Sequence, residues 1–167
     1  MSSQQEPGTA PHLHGLAEAN RLGPLTQELI AEITIDAPID TVWEVLTDLD
    51  RYHEWNPFVI EAAGSVQEGS ELSVRIQPVG GRASSFSPKV SAVEPRRTFE
   101  WLGRVAFPGV FDGRHRFDLE PTADGLATVL RQSERFTGVL VPLLMKMVGK
   151  GSLAGFVQMN EKLKVRA

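Results

Sequence analysis

Apolar and polar residues alternate over residues 29–36, which is the period-two pattern of a β-strand. The pattern ends at Pro38, and apolar residues then recur every three or four positions, as in a short amphipathic helix. Asp40 is the predicted N-cap of this helix. A second short helix is predicted over residues 50–55, and it ends there because a residue that precedes proline avoids the helical region.

Strand-like segments follow one another over residues 58–136, separated by glycine and proline. Their short connections predict antiparallel neighbours in a meander. Six segments fit the strand pattern: residues 58–64, 70–78, 85–94, 97–105, 110–120 and 126–136. Over residues 138–165 the apolar side chains step by three or four, which predicts one long helix. At 1.5 Å per residue it is about 40 Å long, enough to cross the whole sheet.

The first 28 residues contain several prolines and glycines, few aliphatic residues and no aromatic one. This composition predicts a flexible N-terminal leader. A short helix over residues 13–22 is the alternative. Residues 29–167 are predicted to form the folded domain.

The predicted elements are one strand, two short helices, six strands and one long helix. A strongly bent antiparallel sheet has one face to bury, and only the terminal helix is long enough to cover it. We therefore predict an α+β helix-grip fold, in which a curved seven-stranded antiparallel sheet wraps around the C-terminal helix. A cavity is expected between the sheet and the helix.

The side chains of a strand alternate between its two faces, so the more apolar set of each strand is assigned to the cavity. Three polar residues fall in this inward set: His115, Gln132 and Glu134. The predicted ligand-binding residues are Phe58, Leu72, Val74, Ile76, Phe86, Val90, Phe99, Trp101, Phe111, His115, Phe117, Leu130, Gln132, Met145, Val148, Phe156 and Met159. For the methionines of the helix, ordinary core packing is an equally good interpretation.

Polar groups that converge in an apolar cavity are typical of a binding site for an amphipathic small molecule. His115 and Glu134 are also the candidate catalytic residues, because a histidine beside a carboxylate can move protons. The alternative is structural, since inward polar side chains on sheets usually bond to one another or to water. A bulge would instead turn Glu134 toward Arg131 or Arg135.

The chain of 167 residues has no cysteine and a net charge of −4. A disulfide scaffold, a zinc–thiolate site and a cysteine nucleophile are excluded, and nucleic acid is not an expected partner. The pair His12 and His14 lacks further ligands, so no metal site is predicted. We expect no cofactor.

No secretory signal and no apolar run of membrane-spanning length occurs in the sequence. We therefore expect a cytoplasmic protein without stable membrane insertion. Residues 139–167 carry five basic side chains and one acidic one. A solvated helix face is the favoured interpretation of these charges, and a weak contact with an anionic membrane is the alternative.

Residues 31–59, AEITIDAPIDTVWEVLTDLDRYHEWNPFV, resemble the opening segment of the START-like, Bet v 1-like superfamily (SRPBCC), in particular its bacterial polyketide cyclase/dehydrase branch. The matching residues are Ala37-Pro38, Val42-Trp43, Asp48 and Trp55-Asn56-Pro57-Phe58. Later in the chain, Gly155-Phe156, Met159-Asn160 and Leu163-Lys164 are similar to the end of the long helix in that branch. The resemblance covers nearly all of residues 29–165 and implies the helix-grip fold.

The resemblance leaves the activity open, because relatives include lipid-transfer proteins, hormone receptors, ubiquinone-binding proteins, cyclases and chaperone activators. We favour a binding module that encloses a hydrophobic or amphipathic partner such as a lipid, an isoprenoid or a polyketide-like compound. The alternative is a polyketide cyclase/aromatase or dehydratase with His115 and Glu134 as its acid/base residues. A third hypothesis is an interaction protein that binds its partner through the helix of residues 139–167.

Overall fold

The computed structural model describes residues 15–167. Its strands are β1 Ala17–Gly23, β2 Thr26–Ile35, β3 Val59–Ala63, β4 Ser73–Ile76, β5 Ser84–Phe86, β6 Lys89–Glu94, β7 Thr98–Val105, β8 Phe111–Pro121 and β9 Thr128–Thr137. Its helices are α1 Ile39–Thr47, a 3₁₀ helix Leu49–Glu54, and α2 Val141–Arg166. The two short helices and the long terminal helix therefore occur where the sequence predicts them.

The strands form two antiparallel sheets that lie against α2. The larger sheet has the order β1-β2-β9-β8-β7-β6, and the smaller one has the order β3-β4-β5. Backbone hydrogen bonds from Leu72 N to Pro88 O and from Val90 N to Ser70 O, both 2.8 Å long, join the sheets. The helix-grip fold is confirmed, with sheets of six and three strands in place of the single predicted sheet of seven.

The extra strand boundary lies within the segment 85–94, which was predicted as one strand. Residues 84–86 pair with β4, whereas residues 89–94 pair with β7. Pro88 separates them, because proline has no N–H to donate to a ladder and marks a strand end. The chain therefore passes from the smaller sheet to the larger one at Pro88. A gap between the two sheets lies among β4, β5 and β7.

The prediction of a flexible leader over the first 28 residues is wrong for its described part. Residues 17–23 form β1, which pairs with β2 through the short turn at Pro24 and Leu25. The side chains of β1 are mostly exposed. Because β1 is an edge strand held by backbone hydrogen bonds, its sequence has no alternation of apolar and polar residues from which a strand could be predicted. The alternative prediction of a helix is also wrong at residues 17–22, because these residues belong to strand β1. Residues 1–14, with His12 and His14, lie outside the described part.

Helix α1 begins two residues earlier than the predicted N-cap implies. Its N-cap is Pro38, and no side chain caps the first turn. Asp40 is therefore not the N-cap; it lies in the first turn, where a carboxylate is favourable, and forms an ion pair with Arg96 at 3.2 Å.

The alternation of β8 divides its side chains as predicted. His115, Phe117 and Leu119 are buried against the interior, while Arg114 and Arg116 lie on the outer face and bind Glu100 of β7. Burial opposes ionisation of Glu100, but hydrogen bonds from Ser91 and both arginines outweigh it and lower the pKa of this carboxyl. The outer face is thus stabilised by ion pairs, and the inner face forms the core with α2.

Candidate functional site

His115 and Glu134 lie side by side on the inner face of the larger sheet. They are register partners on the neighbouring strands β8 and β9, and His115 Nδ1 is 3.3 Å from Glu134 Oε2. The imidazole is fully buried, whereas the carboxylate keeps 13% of its surface exposed. The structure therefore brings together the two predicted catalytic residues.

Gln132 bonds to the other side of the same imidazole. Its Nε2 is 2.9 Å from His115 Nε2 and 3.4 Å from Met159 Sδ. The two ring nitrogens of His115 thus contact two different side chains, Glu134 and Gln132. The arrangement holds the histidine ring in one orientation.

Aromatic rings enclose His115 on all other sides. Trp101 stacks on it with ring centroids 4.8 Å apart, and Phe156 meets it edge-on at 5.0 Å. Phe117 and Phe58 complete the enclosure at 4.7 and 6.4 Å. Because the imidazole is fully buried, its contact with Glu134 is stronger than the same contact would be in solution.

A cavity of about 160 Å³ opens beside this cluster. It is lined by Phe58, Val74, Ile76, Pro78, Arg82, Ser84, Phe86, Pro88, Trp101, Gly103, Arg104, Val105, Phe111, Gly113, Glu134, Phe136, Val148 and Ser152. Most of these residues are apolar, and Glu134 is the only carboxylate among them. His115 does not line the cavity, so it reaches a bound molecule only through Glu134.

The predicted ligand-binding residues divide between the cavity and the packed core. Those at the cavity are Phe58, Val74, Ile76, Phe86, Trp101, Phe111 and Val148. Those in the core are Leu72, Val90, Phe99, His115, Phe117, Leu130, Gln132, Met145, Phe156 and Met159, all buried. Phe99, for example, is fully buried and stacks with Phe117 at 6.1 Å. For both groups, a role in binding stays a prediction.

Several cavity residues were not predicted, although some carry a signal in the sequence. Gly113 and Phe136 belong to the inward sets of β8 and β9, and Ser152 lies on the apolar stripe of α2. Arg82 has no such signal, because it lies in the loop between β4 and β5, where alternation gives no guidance.

The loop of residues 77–83 closes one side of the cavity by resting on α2. Val79 N donates to Gly151 O at 3.0 Å. A Cβ at position 151 would stand 2.5 Å from Val79 O, a distance that no side chain tolerates. The glycine therefore permits the close approach between loop and helix.

Tyr52 is the single tyrosine of the chain, and it lies away from the cavity. Its hydroxyl donates to Leu46 O at 2.5 Å, and the side chain is fully buried. Burial raises its pKa, and the nearby Asp48 raises it further. This tyrosine therefore stabilises the junction between α1 and the 3₁₀ helix and supplies no acid to the cavity.

Within residues 15–167, no three His, Asp or Glu side chains converge in a way that would hold a metal ion. Neither described helix combines the length and the apolar character that crossing a bilayer requires.

Comparison with known proteins gives a family and several structural neighbours. A protein from Mesorhizobium loti has 25% sequence identity and a TM-score of 0.64, and the match covers 83% of this chain and 95% of that one. The Zhui aromatase/cyclase from Streptomyces sp. R1128 has 18% identity and a TM-score of 0.59, with 85% and 97% covered. A START superfamily protein from Mycobacterium smegmatis has 18% identity and a TM-score of 0.62, with 83% and 95% covered.

A comparison with curated proteins gave no match. The family model described as "Polyketide cyclase / dehydrase and lipid transport" matches residues 26–167, from β2 to the end of the chain. This match includes the cavity, the His115–Glu134 pair and the whole of α2. The chain is a member of the polyketide cyclase/dehydrase and lipid transport family.

Proposed function

We propose that this protein binds an amphipathic small molecule whose apolar part enters the cavity beside Glu134. The observation that carries the proposal is the lining: an apolar enclosure of Phe58, Trp101 and Phe111 with polar groups at separate points. Glu134 lies at the buried side, and Arg82 and Ser84 lie on exposed chain at the rim. A molecule with one apolar body and polar substituents matches this distribution.

The size of the cavity limits what enters it without rearrangement. An apolar cavity of about 150 Å³ accommodates one benzene ring, and this one is about 160 Å³. A single ring or a short chain therefore fits as the cavity stands. A multi-ring polyketide or a long isoprenoid requires the loop of residues 77–83 to move away from α2.

A binding measurement with a defined probe tests this proposal. The probe is phenylbutanol, which carries one benzene ring on a short alcohol chain, and the method is isothermal titration calorimetry. Ser152 is buried and lines the cavity, so Ser152→Phe fills the space and should weaken binding by roughly tenfold or more. The matched control is Ser73→Phe, on the exposed face of β4.

The expected result is saturable binding to the wild type and to Ser73→Phe, with a loss confined to Ser152→Phe. Thermal unfolding of each variant shows that the fold is kept. Absence of any saturable binding to the wild type would overturn the proposal, and so would equal affinity for all three proteins.

The second candidate function is that of a polyketide cyclase/aromatase or dehydratase, and the contact between His115 and Glu134 favours it. In this candidate, Glu134 removes a proton from a carbon between two carbonyl groups, and the enolate attacks a third carbonyl of the same chain. The new alkoxide then takes the proton back. Glu134 is the catalytic residue of this step, and His115 positions it from behind.

Turnover of a poly-β-keto substrate tests the second candidate. Glu134→Gln keeps the shape of the side chain but removes the base, so the rate should fall by about a hundredfold or more. His115→Gln should lower the rate less than the change at Glu134 does. Cyclisation that proceeds at an unchanged rate in Glu134→Gln removes this mechanism and leaves the binding proposal standing.

A further inference from the structure

One end of the molecule carries large apolar side chains that nothing in the described chain covers. Phe107, at the turn between β7 and β8, is 74% exposed, and Met147 and Leu143 of α2 are 75% and 59% exposed. Isolated exposed apolar residues are ordinary, but a group of them on one surface indicates a contact. The end surface comprises Leu25, Phe107, Val139, Leu140, Leu143 and Met147.

Backbone hydrogen bonds hold the parts of the end surface together. Val139 N donates to Gly109 O and Leu140 N donates to Val110 O, both at 3.0 Å. Gly138 N donates to Leu25 O at 3.1 Å. The β7–β8 turn, the β1–β2 turn and the start of α2 therefore form one continuous surface.

The exposed face of α2 combines these apolar residues with lysines. Leu143, Lys146, Met147 and Lys150 have the spacing i, i+3, i+4, i+7 and so share one helix face, and all four are exposed. The opposite face, with Val141, is buried in the core. In the first turns of α2, the buried face is therefore apolar, and the exposed face carries both apolar and basic side chains. The exposed face of a surface helix is ordinarily polar.

Within residues 15–167, neither Lys146 nor Lys150 forms a salt bridge. The sequence contains no Asp or Glu from residue 135 to residue 160. The nearest carboxylate of the β7–β8 connection, Asp112, accepts a hydrogen bond from Gly109 N at 3.1 Å and lies 3.4 Å from Arg104. The end surface therefore combines exposed apolar side chains with two lysines, Lys146 and Lys150.

We propose that the end surface docks the protein on an anionic lipid bilayer. Lysines attract the negative headgroups, and exposed phenylalanine, leucine and methionine enter the boundary between headgroups and acyl chains. The apolar residues stand on a turn and on a convex helix face, which suit a deformable lipid surface better than a rigid protein groove. The proposal does not depend on what occupies the cavity.

The cavity opens close to this surface. Val105 lines the cavity two residues before Phe107, and Val148 lines it directly after Met147. Docking through the end surface therefore places two cavity-lining residues, Val105 and Val148, next in sequence to side chains that enter the bilayer. An amphipathic molecule dissolved in the membrane would then pass between membrane and cavity over a short path.

Sedimentation with lipid vesicles tests the docking proposal with the full chain. The vesicles consist of phosphatidylcholine with about one quarter phosphatidylglycerol, and vesicles of phosphatidylcholine alone serve as the uncharged comparison. Leu143→Ser/Met147→Ser and Phe107→Ser should each weaken binding by roughly fivefold or more. Lys146→Gln/Lys150→Gln should weaken it by roughly tenfold or more and reduce its dependence on salt.

The chain offers matched controls at its other end. Val165 is 83% exposed near the end of α2, so Val165→Ser removes an equally exposed apolar group outside the end surface. Lys162 is exposed on the same helix, so Lys162→Gln removes a lysine there. Both controls should bind the anionic vesicles as the wild type does.

Three outcomes would overturn the proposal. The wild type fails to sediment with anionic vesicles, or the control variants lose binding as much as the end-surface variants do. In the third outcome, light scattering shows a dimer that Phe107→Ser converts to a monomer, which would make the end surface an interface between two copies of this chain. None of these outcomes changes the binding of phenylbutanol measured by calorimetry. The docking proposal can therefore fail while the proposal of a binding cavity stands.

Discussion

Gly113 lies directly beneath the carboxylate of Glu134. A Cβ at position 113 would stand 2.6 Å from Glu134 Oε1 and 3.4 Å from the ring of Phe136. Because Gly113 has no side chain, there is space at this point of β8 for Glu134 to turn toward His115 and the cavity. The register partner of Gly113 on β7 is Gly103. A Cβ added at Gly103 would meet no atom closer than 3.8 Å.

The two glycines predict opposite responses to alanine. Gly113→Ala should displace the flexible Glu134 carboxylate from His115 and destabilise the protein by about 1 kcal/mol through the lost hydrogen bond. Gly103→Ala should be neutral or slightly stabilising, because glycine weakens a strand interior. Urea denaturation measures both, and equal effects of the two substitutions would contradict this account of the carboxylate's room.

A second pair of glycines tests how α2 packs on the sheet. A Cβ at Gly155 would overlap the ring of Phe58, whereas a Cβ at Gly149 would meet the flexible end of Met145 at 3.2 Å. Gly155→Ala should therefore cost about 1–3 kcal/mol. Gly149→Ala should range from neutral to a gain of about 1 kcal/mol from helix propensity. A Gly155→Ala protein as stable as wild type would show that Phe58 does not sit against the helix.

The contact between Val79 and Gly151 predicts a local change in dynamics. Gly151→Ala pushes against Val79 O, so the hydrogen bond from Val79 N to Gly151 O should break. Hydrogen exchange at the Val79 amide should speed up by roughly tenfold or more, while exchange in β8 stays unchanged. Gly149→Ala is the control on the same helix, and unchanged Val79 exchange in Gly151→Ala would refute a loop held by this helix.

Glu54 predicts a dependence of stability on pH. Its carboxylate binds Arg51 at 2.9 Å and Arg166 of α2 at 2.5 Å. The hydrogen bond from Arg51, helped by that from Arg166, lowers its pKa from 4.5 to about 2. A carboxyl whose pKa falls on folding stabilises the protein above its unfolded pKa and loses this effect as pH falls toward the folded value.

The melting temperature of Glu54→Gln should therefore lie below that of the wild type at pH 7. The gap should shrink as pH falls from 4.5 to about 2, and added salt should shrink it too, because the pair is at the surface. A gap that stays constant over this range would show that Glu54 acts through packing and not through its charge.

The alternation of β8 and β9 let the sequence predict the inward position of His115, Gln132 and Glu134, because a buried strand face imposes its period on the chain. The spacing of α2 in the same way predicted its buried stripe. β1 could not be predicted, since an edge strand with exposed side chains is defined by backbone pairing alone. The extent of the cavity was equally hidden, because alternation shows neither that Phe99 and Phe117 pack against each other in the core nor that the loop with Arg82 borders the cavity.

A crystal structure of the wild type with phenylbutanol shows where the bound ring lies. We expect the benzene ring in the cavity among Phe58, Trp101 and Phe111, with Glu134 still in contact with His115. A ring found elsewhere on the molecule, with the cavity filled by inward movement of its own side chains, would contradict the claim that this cavity is a binding site.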